Sequence, residues 1–125
     1  MSAGAHLGHS TTLANHPLTL GCRCRACHAM RIRIHDHLSP PQRRAIAVLD
    51  FAVPRPPIDL ARRDDVRFHT LFTLLFARDE RPPLVRPIDM RLGTNRNAPS
   101  VLFYCLTQHG AEILAAAAKA QRKAA

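Results

Sequence analysis

Three pairs of adjacent prolines limit the length of every helix and strand that this chain can form. The pairs are Pro40-Pro41, Pro56-Pro57 and Pro82-Pro83. Proline lacks a backbone donor and disfavours helix in the residue before it. We therefore expect a helix that starts at the first pair, an extended segment VPRPP at the second and a break at the third. A chain of 125 residues fits one compact domain with a short appendage.

The first helix has a strong start signal. Ser39 can accept a hydrogen bond from the free amides of the first turn, proline suits that turn, and Gln42 completes a capping box. We predict a helix from Pro40 to about Ala52, with Ala45, Ile46 and Leu49 on the buried face.

Two further helices are predicted after VPRPP. The first covers Ile58 to Arg63, and the second runs from Val66 to about Arg78 with Asp65 as its N-cap. On a helical wheel one apolar side faces the core, and a small hydrogen-bonding side faces solvent. The inward set is Phe68, Leu71, Phe72, Leu75 and Phe76, and the outward set is Val66, Thr70, Thr73 and Ala77, flanked by Arg67 and His69.

The remaining chain predicts a β-hairpin followed by a helix. Two extended runs, Leu84 to Leu92 and Val101 to Leu106, flank the turn-forming segment GTNRNAPS. Thr107 can cap a final alanine-rich helix. Cys105 lies in the second run, and we expect it to be buried.

From residue 39 onward the segments LSPPQRRAIAVL, IDLARRDDVRFHTLFTLLF, LVRPIDMRLG and VLFYCLTQHGAEIL resemble the winged helix-turn-helix family, especially MarR-like regulators. The resemblance implies an α+β winged helix over residues 39–125, with a three-helix core, a two-stranded wing and a C-terminal helix. Residues 1–38 are then an N-terminal arm, partly disordered, with a Cys/His cluster. Within the arm, Met30, Ile32 and Ile34 alternate with polar residues and predict a short edge strand.

The resemblance implies sequence-selective binding of double-stranded DNA by a transcriptional regulator. Eighteen Lys and Arg against nine Asp and Glu, a formal charge of +9, agree with a polyanionic partner. Helix 66–78 would enter the major groove, and the wing, residues 91–100, would contact the backbone or minor groove. The final helix would pack in a homodimer. The residues expected to contact DNA are Arg67, His69, Thr70 and Thr73 on the helix, Arg91, Asn95 and Arg96 on the wing, and Arg43 and Arg44 at phosphates.

Three cysteines and a histidine lie close together in the arm. Cys22, Cys24, Cys27 and His28 provide soft ligands that suit a four-coordinate zinc ion, with His35 and His37 nearby. Reduced thiols without a metal are the alternative. A redox switch is a third interpretation, because Arg23 and Arg25 would lower thiol pKa values. The pattern C-x-x-C-H also matches covalent haem attachment, which belongs to exported proteins.

Other classes of protein find little support. No apolar run is long enough to span a membrane and no secretion signal is recognisable, so we expect a cytoplasmic protein with reduced thiols. No nucleophile, paired acids or Gly-rich phosphate loop indicates an enzyme. The alternatives to a DNA-binding regulator are a winged-helix adaptor for protein assembly in a nucleoprotein complex and a small zinc-binding module.

Overall fold

The computed structural model of the protein describes residues 17–78 and 81–124. Within them the chain forms five α-helices and a two-stranded antiparallel sheet, which confirms the mixed α+β class. Residues 1–16 of the arm that was expected to be partly disordered lie outside the described residues. The elements are α1 (Arg25–His37), α2 (Pro40–Val48), α3 (Pro57–Asp64), α4 (Phe68–Leu74), β1 (Val85–Arg91), β2 (Ser100–Leu106) and α5 (Gln108–Ala124).

Helix α2 starts as predicted. The Ser39 hydroxyl accepts a hydrogen bond from the Gln42 amide at 3.3 Å, and the Gln42 side chain accepts one from the Ser39 amide at 2.9 Å. The helix ends at Val48, four residues before the predicted end at Ala52. The reason is tertiary, because the Asp50 carbonyl accepts a hydrogen bond from the Leu106 amide in β2 and holds this stretch extended.

The helix-turn-helix segment differs from the prediction at its turn and at its end, because α4 ends at Leu74, four residues before the predicted Arg78. Helix α3 lies close to the predicted bounds, but Asp65 is not the N-cap of α4. It has a left-handed backbone, with φ of 55°, and terminates α3. The Val66 amide donates to the Leu60 carbonyl, and the Val66 side chain is buried. Because Val66 is drawn into the core, α4 starts two residues later than predicted and follows Arg67, which makes no side-chain cap bond.

The hairpin has the predicted strands. Its antiparallel register runs from Val85 opposite Leu106 to Arg91 opposite Ser100. The segment VPRPP is extended, as its prolines require. Arg55 exchanges two backbone hydrogen bonds with Tyr104, at 2.9 and 2.8 Å, on the side of β2 away from β1. Residue 55 therefore adds a short third row to the sheet.

One hydrophobic core joins α2, α3, α4, the sheet and α5. Cys105 is fully buried beside this core, as predicted. The core members with no measurable exposure are Ala45, Ile46, Leu60, Leu71, Leu74, Leu84 and Ile113.

A close backbone contact fixes the start of α5. The Thr107 hydroxyl accepts a hydrogen bond from the Gly110 amide and donates one to the Pro83 carbonyl. A Cβ atom at Gly110 would overlap the carbonyl oxygen of Leu84. The sequence LT-x-x-G therefore serves both as a helix cap and as the place where α5 meets the chain that enters β1.

The strand predicted over Met30, Ile32 and Ile34 is wrong, because these residues lie in helix α1. The helix packs against α5, and its buried residues are Ala26, Cys27 and Arg31, at helical spacing. The helical spacing of the buried residues is not recognisable as an apolar pattern in the sequence, because one of them is an arginine. Arg31 is only 6% exposed, and its charge is balanced by Glu112 of α5 at 3.0 Å.

Candidate nucleic-acid interface and candidate metal centre

Helix α4 is turned about its axis relative to the wheel prediction. Leu71 and Leu74 face the core with no exposure, whereas Phe68, Phe72 and Phe76 are 58%, 49% and 56% exposed. The prediction that the phenylalanines anchor the helix from behind is wrong. Val66, expected outside, is 2% exposed. The chain contains two overlapping apolar stripes here, and the smaller leucines occupy the core.

The two threonines of α4 are less available than predicted. The Thr73 hydroxyl donates to the Thr70 carbonyl at 2.7 Å and accepts a hydrogen bond from the Gln42 side chain of α2 at 3.1 Å. Both threonines are half-buried. By contrast, Arg67 and His69 are exposed, so the cationic part of the predicted contact set does face solvent.

The hairpin tip presents its polar residues to solvent as expected. Residues 91–97 are all exposed. The Asn95 side chain accepts a hydrogen bond from the Asn97 amide, which is turn chemistry. Arg91 donates to the carbonyls of Asn95 and Arg96 at 3.5 and 3.4 Å and braces the tip. The Arg96 side chain is exposed and forms no ion pair with the acids of residues 17–78 and 81–124.

Four of the seven acidic side chains in residues 17–78 and 81–124 form ion pairs with arginines. Arg55 bridges Asp59 and Asp64, at 2.7 Å to each, and Arg63 also pairs with Asp59. The hydrogen bond from Arg55 is the largest cause of the lowered pKa of Asp59. Of the predicted phosphate contacts, Arg43 is half-buried, and Arg44 is exposed and lies 3.6 Å from Asp65. These pairs use few cations, so the outer surface remains strongly positive.

Sequence reasoning missed an exposed aromatic ridge, formed by Phe68, Phe72 and Phe76. The ring centroids of the first two lie 6.2 Å apart and those of the last two 5.1 Å apart, so the three rings form a continuous apolar strip. The signal was present in their spacing of four residues, which places them on one side of a helix. The helical wheel groups them with Leu71 and Leu75 on one apolar side, which predicts that they face the core.

The three cysteines of the predicted metal site lie close together, but His28, the fourth predicted ligand, is not among them. The ligand atoms of Cys22, Cys24 and Cys27 lie within 4.8 Å of one another, and this group could hold a metal ion. His28, His35 and His37 are not part of the group. Cys24 is the N-cap of α1, and its sulfur accepts a hydrogen bond from the Cys27 amide at 3.4 Å. Within the described residues the cysteines form no disulfide.

The ion pair between Arg31 and Glu112 holds the segment that carries Cys22. The Arg31 guanidinium donates to the Cys22 carbonyl at 2.6 Å and to the Thr19 carbonyl at 3.0 Å, as well as to Glu112. The Glu112 carboxylate also accepts a hydrogen bond from the Gly21 amide. Residues 19–22 are therefore clamped between α1 and α5, which preorganises the cysteine cluster.

The electrostatics of Cys27 differ from the expectation for a redox switch. Arg23 and Arg25 were expected to lower the thiol pKa values. Both arginines are exposed, and burial raises the pKa of Cys27 to about 11. A thiol with a raised pKa has little thiolate at neutral pH and reacts slowly with oxidants. The expectation is wrong for this cysteine.

Comparisons of the chain with protein families, with curated proteins and with solved structures found no match. Of the helices formed by residues 17–78 and 81–124, none combines the length and the apolar character needed to cross a bilayer.

Proposed function

We propose that the protein is a winged-helix regulator that binds double-stranded DNA with sequence selectivity. The observation that carries this proposal is the exposure of Arg67 and His69 at α4 and of Arg96 at the hairpin tip. In a winged helix these are the two places that meet the duplex, the first in the major groove and the second at the backbone or minor groove. Arg67 can bond guanine bidentately, whereas Arg96 contributes a sequence-independent phosphate contact.

The order of the elements supports this proposal. Helix α2, the extended row at residue 55, α3, α4 and the hairpin follow one another as in a winged helix. The turn between α3 and α4 has three residues, 65–67, and contains the left-handed Asp65. A turn of three or four residues with one such position is typical of helix-turn-helix pairs.

The charge distribution also supports it. Four of the acids in the described part of the chain, Asp59, Asp64, Asp65 and Glu112, form ion pairs with arginines of the same chain. Other cations, among them Arg62, Arg67 and Arg96, are exposed and form none of these ion pairs, so they can attract phosphates from a distance. A fold with this surface suits DNA binding better than assembly through an uncharged face.

Selection from a random duplex pool with the full chain tests the proposal. The measurement is fluorescence anisotropy with a selected duplex and a scrambled duplex across a salt series. We expect affinity to fall steeply with salt, with a slope of about 0.9 for each phosphate neutralised. Arg67→Ala should lose about 1–3 kcal/mol of preference for the selected duplex, whereas Arg96→Ala should weaken both duplexes alike.

Arg122→Ala is the matched control, because Arg122 is exposed at the far end of α5. It should leave the preference unchanged. Equal affinity for both duplexes at every salt concentration would reject the regulator and favour the protein-assembly adaptor. Half-site spacing in the selected sequences, together with sedimentation equilibrium, tests the expected homodimer.

We further propose that Cys22, Cys24 and Cys27 hold a zinc ion. Thiolates are preferred zinc ligands, and a zinc–sulfur distance of about 2.3 Å requires the sulfurs to approach to roughly 3.8 Å. The observed spread of 4.8 Å needs only a small closure of a loop that is already clamped. Three protein ligands leave a fourth position for water or another donor. The zinc would fasten the arm to the start of α1.

Metal titration tests this second proposal. Elemental analysis should find one zinc per chain, and cobalt added to the metal-free protein should give thiolate-to-metal charge-transfer absorption. Cys27→Ser should abolish both signals. Cys105→Ser is the matched control, because that cysteine is buried in β2, outside the cluster. Zinc-free protein with unchanged thermal stability in a chelator would contradict the proposal.

A further inference from the structure

The aromatic ridge of Phe68, Phe72 and Phe76 is an exposed feature that the proposed function leaves unexplained. Each ring exposes about half of its surface, and the rings touch in series along one side of α4 and the residues that follow it. Contiguous exposed apolar surface of this kind marks a binding site in soluble proteins.

The surroundings of the ridge indicate the chemistry of what covers it. Arg67, His69 and Arg78 are exposed on the same short segment, and residues 66–78 contain no acidic side chain. A second copy of the chain placed on the ridge would bring these cations against their equivalents. A polyanion that also offers apolar groups is the complementary partner.

We propose that the ridge docks in the major groove and contacts the C5 methyl groups of thymines. This inference rests on the proposed DNA binding. Thymine methyls are the apolar groups that the base edges present in that groove, and phenylalanine is among the side chains that contact them. Arg67, at the start of α4, then still reaches a guanine edge, and His69 and Arg78 lie near the phosphates.

The length of the ridge sets the expected site. The ring centroids lie 6.2 and 5.1 Å apart in series, so the ridge is at most about 11 Å long between its outer ring centroids. Base pairs stack about 3.4 Å apart, so the ridge spans about three steps. We therefore expect a short run of A·T pairs at the centre of each half-site.

Replacement of thymine by deoxyuridine provides the test, because it removes the methyl group and keeps the base pairing. With the full-length protein and a duplex selected from a random pool, substitution of three central thymines should weaken binding at least tenfold. The estimate is about fourfold for each methyl. The same substitution outside the bound base pairs should leave the affinity unchanged. The dependence of affinity on salt concentration should be the same for the thymine and deoxyuridine duplexes.

Phe72→Ala should bind thymine and deoxyuridine duplexes equally, with a circular dichroism spectrum like that of the parent. Phe51→Ala is the matched control, because Phe51 has similar exposure but lies outside α4. It should keep the full methyl dependence.

Three results would overturn the inference. Equal binding of both duplexes by the parent protein, with salt-dependent affinity retained, rejects methyl contact and leaves DNA binding intact. Absence of binding to any duplex rejects both proposals. Conversion of a dimer to a monomer by Phe72→Ala, without a change in methyl dependence, identifies the ridge as a contact between copies.

Discussion

Replacement of Arg31 by methionine should destabilise the protein more than any other single charge removal in α1. Its guanidinium donates three hydrogen bonds, to the carbonyls of Cys22 and Thr19 and to the Glu112 carboxylate. Side-chain exposure is 7% for Arg31 and 23% for Glu112. Methionine preserves most of the volume, so the loss reports the missing hydrogen bonds and charge rather than a cavity.

The expected magnitude follows from these surroundings. Removal of one partner of a buried ion pair costs about 3–5 kcal/mol. Glu112 is partly hydrated and keeps its hydrogen bond from the Gly21 amide, so we expect a smaller loss than for a fully buried pair, about 2–3 kcal/mol. For a chain of this size that loss lowers the melting temperature by about 10 °C.

Urea denaturation followed by circular dichroism measures the effect in a double-mutant cycle. The cycle combines Arg31→Met with Glu112→Leu, and the coupling between them should be at least about 1 kcal/mol. Arg33→Met is the control, because Arg33 is exposed two residues away on the same helix, and it should change stability by less than about 0.5 kcal/mol. If Arg31→Met and Arg33→Met unfold at the same urea concentration, the clamp does not stabilise the fold.

Three further outcomes are expected from the same unfolding assay. Gly110→Ala should lower the free energy of unfolding by about 1–3 kcal/mol, because the added Cβ would overlap the Leu84 carbonyl oxygen, a backbone atom that cannot rotate away. An unchanged urea midpoint would contradict this contact. Ser39→Ala should lower the free energy of unfolding by about 1 kcal/mol, because α2 loses its N-cap hydrogen bond, and Ser39→Asp should retain most of the parent stability. Burial lowers the pKa of His109 in the folded protein below its ordinary value of 6.5, so near that pH the unfolded chain binds more protons than the folded one. The neutral His109 side chain therefore contributes its full share of the free energy of unfolding above about pH 6.5, and this contribution declines as the pH falls below that value. His109→Gln should flatten that decline, and an identical pH profile for the variant would reject the assignment.

The elements that the sequence predicted correctly depend on contacts between near neighbours. The capping box joins Ser39 to Gln42, three residues apart. The prolines act on their own backbone and on the residue before them, and the hairpin turn is built from its own Asn and Gly residues. The cysteine cluster belongs to the same group, because residues 22, 24 and 27 are within six positions and any compact local structure brings them together.

The face of α4 could not be deduced in this way. Both the Phe68, Phe72 and Phe76 stripe and the Leu71 and Leu74 stripe have helical spacing, so periodicity alone allows either to face the core. Contacts from elsewhere decide the outcome. The Leu84 amide donates to the Leu74 carbonyl, and Gln42 of α2 donates to Thr73. These bonds fix the rotation of the helix and leave the phenylalanines outside.

The clearest division between sequence and tertiary structure lies in α1. By itself the sequence determined the start of α2, the extended segment VPRPP and the closeness of Cys22, Cys24 and Cys27, since these features depend on groups a few residues apart. Only the tertiary structure decided that a charged residue, Arg31, is buried, because its partner Glu112 lies 81 positions away in α5. A charge enters a protein interior only when such a partner offsets its loss of hydration, and that partner is supplied by the fold.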